Sequence, residues 1–314
     1  MKDSAIYLAP LQGYTNHDYR NLYHKYFGGV DKYFSPYLRF EEGKEHKKSV
    51  IKDIHPENNE DLNFVPQILG TNISIFIQLA KQFENWGYSE MNWNLGCPYP
   101  MVTNRGFGSA LLQKPKLVKQ ILNDVFTKIE IPLSIKCRLG FENPEEIHEL
   151  IEVFNGFPIK ELTIHARTAK QMYRGVANPK ALIPIINKSK ASLCYNGDIS
   201  KISDIESAKT LFNNNINTFM IGRGILKNPF LASEIKGKIY SKDEKMEILK
   251  LFHNELFIIN SEKLEKSHLL GRMKTHWEYL SYMFENQHKV YKTIKKNKRL
   301  DKYESLIDKI FADA

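Results

Sequence analysis

Apolar residues in the first three quarters of the chain come in short runs separated by stretches with helical spacing. Ile6-Tyr7-Leu8-Ala9 is a compact run closed by Pro10, and Thr15 or Asn16 is placed to cap a helix through Arg20 to Phe27. Residues 32–35 and 64–68 read as the second and third strands, the latter despite Pro66. Between them, the polar and charged residues 39–63 predict an exposed excursion. Ile75, Leu79, Phe83 and Trp86 then repeat at helical spacing. Met91 and Trp93 alternate with Asn92 and Asn94, the period of a strand, which Gly96 and Pro98 stop. Strands five to eight follow at 133–138, 162–165, 193–196 and 218–221, with helices between them. From Ser241 the pattern is helical only, with amphipathic segments at 246–259, 264–284 and 300–311.

Eight strands alternating with helices over roughly 235 residues fit a (β/α)8 TIM barrel, here followed by a small all-α helical domain. The expected boundary lies near Gly237, giving residues 1–237 and 238–314, without internal repeats or a Pro- or Ser-rich linker. An open, doubly wound sheet shares this element order. The placement of polar residues favours the closed form. Gln67, Asn94 with Cys97, Lys136 with Arg138, His165, Asn196 and Arg223 all fall at or just past the carboxyl end of a strand. A barrel brings those ends to one mouth, where active sites are built.

The composition adds three constraints. A formal charge of +9 favours a polyanionic partner. The three cysteines, Cys97, Cys137 and Cys194, fit neither a disulfide framework nor a metal-ligand spacing, so a reducing compartment and no metal are expected. The chain starts a strand within six residues and shows neither an apolar leader nor a membrane-length apolar window, so a cytoplasmic protein is expected. A monomer is expected separately. No Gly-x-Gly-x-x-Gly or Walker loop follows a strand.

At the expected mouth, Asn196-Gly197-Asp198 and Gly222-Arg223-Gly224 follow strands seven and eight, where barrels of this kind commonly hold a phosphate on backbone N–H groups. Arg223 can add a charged contact to that phosphate. Lys136 and His165 are placed to hold electron-rich edges of a flavin ring or its ribityl chain. The structural alternatives are a core carboxylate partner for Lys136 and a satisfied core imidazole for His165. Cys97, in a turn just past a strand end, sits beside two amides. A thiol of ordinary pKa, about 8.5, is largely protonated at neutral pH and can act as an acid.

Ala9-Pro10-Leu11-Gln12-Gly13-Tyr14-Thr15 with Arg20, Asn92-Trp93-Asn94-Leu95-Gly96-Cys97-Pro98, Lys136-Cys137-Arg138-Leu139-Gly140 and Leu162-Thr163-Ile164-His165-Ala166-Arg167-Thr168 run in order along the chain. Tyr173-Arg174-Gly175, Asn196-Gly197-Asp198-Ile199 and Ile221-Gly222-Arg223-Gly224 follow them. Together these motifs resemble the tRNA-dihydrouridine synthase family, with Leu11-Gln12 and Ala166 departing from its usual residues. The resemblance implies a barrel that carries tightly bound FMN and reduces specific uridines in tRNA with NADPH. Hydride would pass from flavin N5 to uracil C6, and Cys97 would give a proton to C5. It implies FMN contacts from Pro10, Leu11, Gln12, Gln67, Lys136, His165, Asn196, Gly197, Asp198, Gly222 and Arg223. Asn94, Arg138, Tyr173 and Arg174 would hold the base and nearby RNA.

The run from Lys289 to Lys302, with Lys295, Lys296, Lys298 and Arg299 at its centre, suits a phosphate backbone behind such a barrel. Tyr37, Arg39 and Arg105 are further candidates for gripping RNA. Two other functions share parts of this pattern: a flavoenzyme reducing a free pyrimidine or another small conjugated substrate, and a non-catalytic RNA-binding protein on the same fold.

Overall fold

The computed structural model describes residues 3–40, 43 and 48–314. Among the described residues, ten strand segments make one parallel sheet: β1 (Ala5–Leu8), β2 (Lys32–Phe34), β3 (Leu38–Arg39), β4 (Phe64–Val65), β5 (Gln67–Leu69), β6 (Met91–Leu95), β7 (Leu133–Gly140), β8 (Glu161–Thr168), β9 (Ser192–Asn196) and β10 (Thr218–Ile221). From β5 to β10 each segment pairs with the next in parallel, and β10 pairs with β1. β1 then pairs with β2, and β2 with β4. Only Pro66 separates β4 from β5, so the ring closes there.

The ten segments are therefore eight barrel strands, two of them interrupted by proline. Pro66 has no N–H for the ladder, and the pairing of the third strand changes partner across it. Ser35 repairs part of the break: its hydroxyl accepts from the Gln67 N–H at 2.8 Å. The second strand breaks at Pro36 and resumes as β3, which pairs with β5.

Helix starts follow their caps. Asn16 accepts from the Tyr19 N–H at 3.3 Å at the head of His17–Tyr26, and Asn72 from Ile75 at 3.0 Å at the head of Ile73–Asn85.

The expected exposed excursion at 39–63 is only partly so among the described residues: Lys48, Ser49, Lys52, Glu57, Glu60, Asp61 and Asn63 are exposed, but others turn inward. Its described residues include the end of β3 and the helix Lys48–Ile54, and Phe40, Ile54, Asn59 and Leu62 are buried. The cause is Arg20, wholly buried on the first helix. Its guanidinium donates to the Asp53 side chain (3.2 Å) and backbone carbonyl (2.7 Å), and to Asn59 Oδ1 (2.8 Å). A few polar side chains turned inward bind the loop to the barrel, which average polarity hides. Glu41, Glu42, Lys44, Glu45 and Lys47, part of that reading, lie outside the described residues.

After Gly237 the chain forms Lys242–Lys263, Lys266–Leu280, Gln287–Lys296 and Tyr303–Ala312. Ser241 and Glu244 cap the first of these reciprocally. The second ends at Leu280 rather than running on to 284, and Gln287–Lys296 has no counterpart in the expected elements. Val290, Tyr291 and Ile294 share one face of it, a short stripe set within a run of lysines.

These helices share one continuous apolar cluster with the barrel. Tyr19 stacks on His276 at 5.7 Å, and Phe252 meets Phe27 at 5.0 Å. Their own centre is Tyr303, whose hydroxyl accepts from Trp277 Nε1 at 2.8 Å and lies 2.9 Å from His253 Nε2. Burial pushes His253 down to about 4, so it is neutral and its Nε2 can accept from Tyr303. Tyr303→Phe leaves the indole N–H and the imidazole nitrogen unpaired. A loss of about 1–3 kcal/mol is expected, read as a lower urea midpoint at unchanged slope.

Among the described residues, no helix is long and apolar enough to cross a membrane. No cluster of His, Cys, Asp or Glu among them is placed to hold a metal.

Candidate active site

The carboxyl ends of the strands converge on a cleft made of two adjoining cavities of about 380 and 440 Å³. Pro10, Leu11, Lys136, His165, Tyr173 and Arg223 line both. Asn196, Gly197, Asp198 and Gly222 line the first, and Gln12, Asn94, Cys97 and Arg138 the second. Gln67 and Arg174 line neither.

The first cavity is basic. Lys136 Nζ donates to Asn196 Oδ1 at 3.1 Å, and the Asn196 amide donates on to the Met220 carbonyl at 2.8 Å. Enclosure in the barrel lowers Lys136 to about 8, with the neighbouring Arg138 charge acting in the same direction. Burial, then the charges of Arg138, Lys136, Arg167 and Arg223, push His165 well below the usual imidazole range. It is therefore neutral at pH 7. Arg167 lies 3.2 Å from His165 Nε2 and has only donors, so that nitrogen accepts and the proton sits on Nδ1.

Arg167 is not among the expected site residues. It is buried, donates to Asp198 Oδ2 at 2.5 Å and to the Gly175 carbonyl at 2.8 Å, and thereby fixes both His165 and the loop after β9. The strand period carries the signal for it, since residues 165 and 167 share a face. Asp198, in the left-handed region at φ 37°, also accepts from Ala177 N (2.8 Å) and Arg223 (3.3 Å). Its carboxylate is thus occupied in holding two arginines. Gly224 lets the loops after β9 and β10 meet: a Cβ there would lie 2.0 Å from the Ile199 carbonyl oxygen.

The second cavity holds the thiol. Asn94 Oδ1 accepts from the N–H groups of Gly96 (3.0 Å) and Cys97 (2.9 Å), which builds the turn beyond β6. The Cys97 carbonyl accepts from the Ser109 N–H (3.1 Å) and hydroxyl (2.9 Å). Gly108, at φ 58°, permits that approach, because a Cβ would sit 2.8 Å from the same carbonyl oxygen. Cys97 is 6% exposed, and its thiol donates to the Tyr37 hydroxyl at 3.7 Å.

Two expected contacts sit differently from a simple ligand grip. Gln67 is fully buried, one layer beneath the cleft, with its amide shared between Asn92 and Asn94 at 2.8 Å each. Arg138 donates to the carbonyls of Gly96 (2.9 Å), Thr168 (2.8 Å) and Met172 (2.8 Å). It braces the Cys97 turn, with Tyr173 seated 5.4 Å from its guanidinium and 4.9 Å from that of Arg223.

The helical region also reaches the cleft. Glu278 and Tyr279 line the second cavity, and Glu278 accepts from the Tyr14 hydroxyl at 2.9 Å. The basic helix Gln287–Lys296 packs against Lys266–Leu280, the helix that carries Glu278 and Tyr279. Lys295, Lys296, Lys298 and Arg299 line neither cavity, and Arg299 pairs with Asp301 at 2.5 Å.

A closed parallel barrel with a basic, thiol-bearing cleft at its carboxyl face is the architecture of a barrel enzyme. Consistent with that, 76% of the chain superposes on 88% of a variant of NCR from Zymomonas mobilis, with a TM-score of 0.52 at 16% identity, a likeness of fold. The chain belongs to the dihydrouridine synthase family of oxidoreductases: the model of Dihydrouridine synthase (Dus) matches residues 7–314. It is 32% identical to tRNA-dihydrouridine synthase B of Pasteurella multocida, over 73% of this chain and 68% of that protein. It is 29% identical to tRNA-dihydrouridine(16) synthase of Neisseria meningitidis serogroup B, over 74% and 71%.

Proposed function

We propose that this chain reduces uridine to 5,6-dihydrouridine in tRNA, with FMN as resident cofactor and NADPH as reductant. The observation that carries the reading is the cleft in which Cys97 lines one cavity and a basic cavity adjoins it. The donor set fits FMN. Arg223, and the loops drawn together at Gly224, suit a phosphate, with Gly197 and Gly222 lining the same cavity. Lys136 and neutral His165 suit the polar edge of the ring, and Pro10, Leu11 and Gln12 its flank. Gln67 acts through Asn94, and Asp198 through Arg223. Bound there, FMN supplies the hydride that uracil C6 accepts, renewed from NADPH.

The chain's own residues do the rest. Asn94 sets the Cys97 turn and Arg138 braces it beside the base, while Tyr173 closes the cleft between two guanidiniums. Cys97 delivers a proton to C5, the carbon that carries the enolate charge once C6 is saturated. Residues 238–314 serve as the docking domain for tRNA. A uridine must leave its stack to enter the mouth, so the flanking RNA has to be gripped outside it. Lys295, Lys296, Lys298 and Arg299 supply that grip, with Arg174 at the opposite loop.

The deciding experiment is position-resolved nucleoside mass spectrometry of tRNA from cells with and without the gene. Loss of dihydrouridine at one or more positions is expected, and unchanged levels everywhere refute the reading. Changing Lys292, Lys295 and Lys296 together to Glu should raise KM for tRNA with kcat nearly kept. The slope of log KM against log salt should fall by about one for each phosphate left without its lysine.

A further inference from the structure

We propose that Tyr37 is the positioning residue for the Cys97 acid: it accepts the thiol's hydrogen bond before proton transfer and returns one to the thiolate afterwards. This rests on the reading of Cys97 as the proton donor.

Both peptide groups of Cys97 are already fixed, the N–H by Asn94 and the carbonyl by Ser109. What remains free is the rotation that aims the sulfur. Around the side chain lie Leu69 and Val102, with Phe107 and Tyr37 packed against them. Of these four, only Tyr37 brings a polar group, 3.7 Å from Sγ. Tyr37 reaches that position because the second strand breaks at Pro36, between β2 and β3, so the phenol enters the cavity that Cys97 lines.

The chemistry needs a partner that can reverse its role. As the S–H bond breaks and the C5–H bond forms, the S–H electron pair stays on sulfur as a thiolate. A hydroxyl that accepted from S–H can rotate and donate to S⁻, whereas a carbonyl cannot. Burial, and the adjacent thiol, raise the Tyr37 phenol, so it keeps its own proton throughout. Water therefore restores the S–H bond after product leaves. The charged and titratable groups that sense this sulfur are Lys136, Arg138, Tyr173 and Tyr37, with Arg39 and Tyr99 beyond the phenol. Lys136 and Arg138 stabilise the thiolate at long range, and the hydroxyl does so by direct contact.

The test compares the wild-type FMN-loaded protein with Tyr37→Phe, which keeps ring and shape. One readout is the pH dependence of Cys97 alkylation by iodoacetamide, followed by peptide mass spectrometry. Cys137 and Cys194 are fully buried, and a Cys97→Ala protein gives the label-free control. The phenylalanine variant should move the alkylation midpoint up by about one pH unit. It should also lower kcat for tRNA about tenfold, with KM and melting temperature unchanged. An unmoved midpoint with unchanged kcat, while Cys97→Ala is inactive, overturns the role of Tyr37 alone. A raised KM at constant kcat overturns it too, since Tyr37 would then be an RNA contact. A Cys97→Ala protein that keeps its turnover within about tenfold of wild type removes the acid itself, and this proposal with it.

Discussion

Cys97→Ala is expected to slow dihydrouridine formation by about a hundred- to ten-thousand-fold, the usual worth of a placed general acid. Fold and cofactor should survive. The thiol contributes one buried sulfur to a small apolar nest with Leu69 and Val102, and the turn that carries it is held by backbone bonds to Asn94 and Ser109. None of those bonds involves sulfur. Flavin content and melting temperature should therefore stay near wild type while product in tRNA falls away. A variant that keeps its turnover within about tenfold refutes the acid assignment.

Gly224→Ala attacks the other cavity. Its Cβ would lie 2.0 Å from the Ile199 carbonyl oxygen and 3.1 Å from Ile221 Cγ2, with backbone on the near side and no rotamer to relieve it. The loops after β9 and β10 must separate, which breaks the 3.3 Å hydrogen bond from Arg223 to Asp198 that joins them. Overpacking of this kind costs about 1–3 kcal/mol of stability. The larger effect should be on the cofactor: the protein should purify largely colourless, and added FMN should raise its melting temperature much less than for wild type. Full flavin content in this variant would place the phosphate elsewhere.

Much of the barrel is legible in the sequence because short parallel strands bounded by Gly and Pro have a strong local signature. Lys32–Phe34 and Thr218–Ile221 fall within a residue of their expected bounds. What period and composition do not report is depth. Gln67 and Asn94 both sit near strand ends, yet one is a layer below the cleft and the other lines it. Asp198 and Arg138 line the mouth, but their bonding to Arg167, Arg223 and three carbonyls exists only in three dimensions. The same holds for Arg20, whose buried charge orders a polar loop that its own sequence leaves unmarked.

The stacking of Tyr19 on His276, with Phe252 packed against Phe27, has a geometric consequence. Barrel and helices share one core, so the thiol and the lysine-rich helix are held like the points of a fixed calliper. On the proposed reading, the span from reacting carbon to gripped strand is set when the chain folds. On that reading, choosing a different nucleotide is a matter of where the charges lie along the jaw rather than of a swing of the jaw.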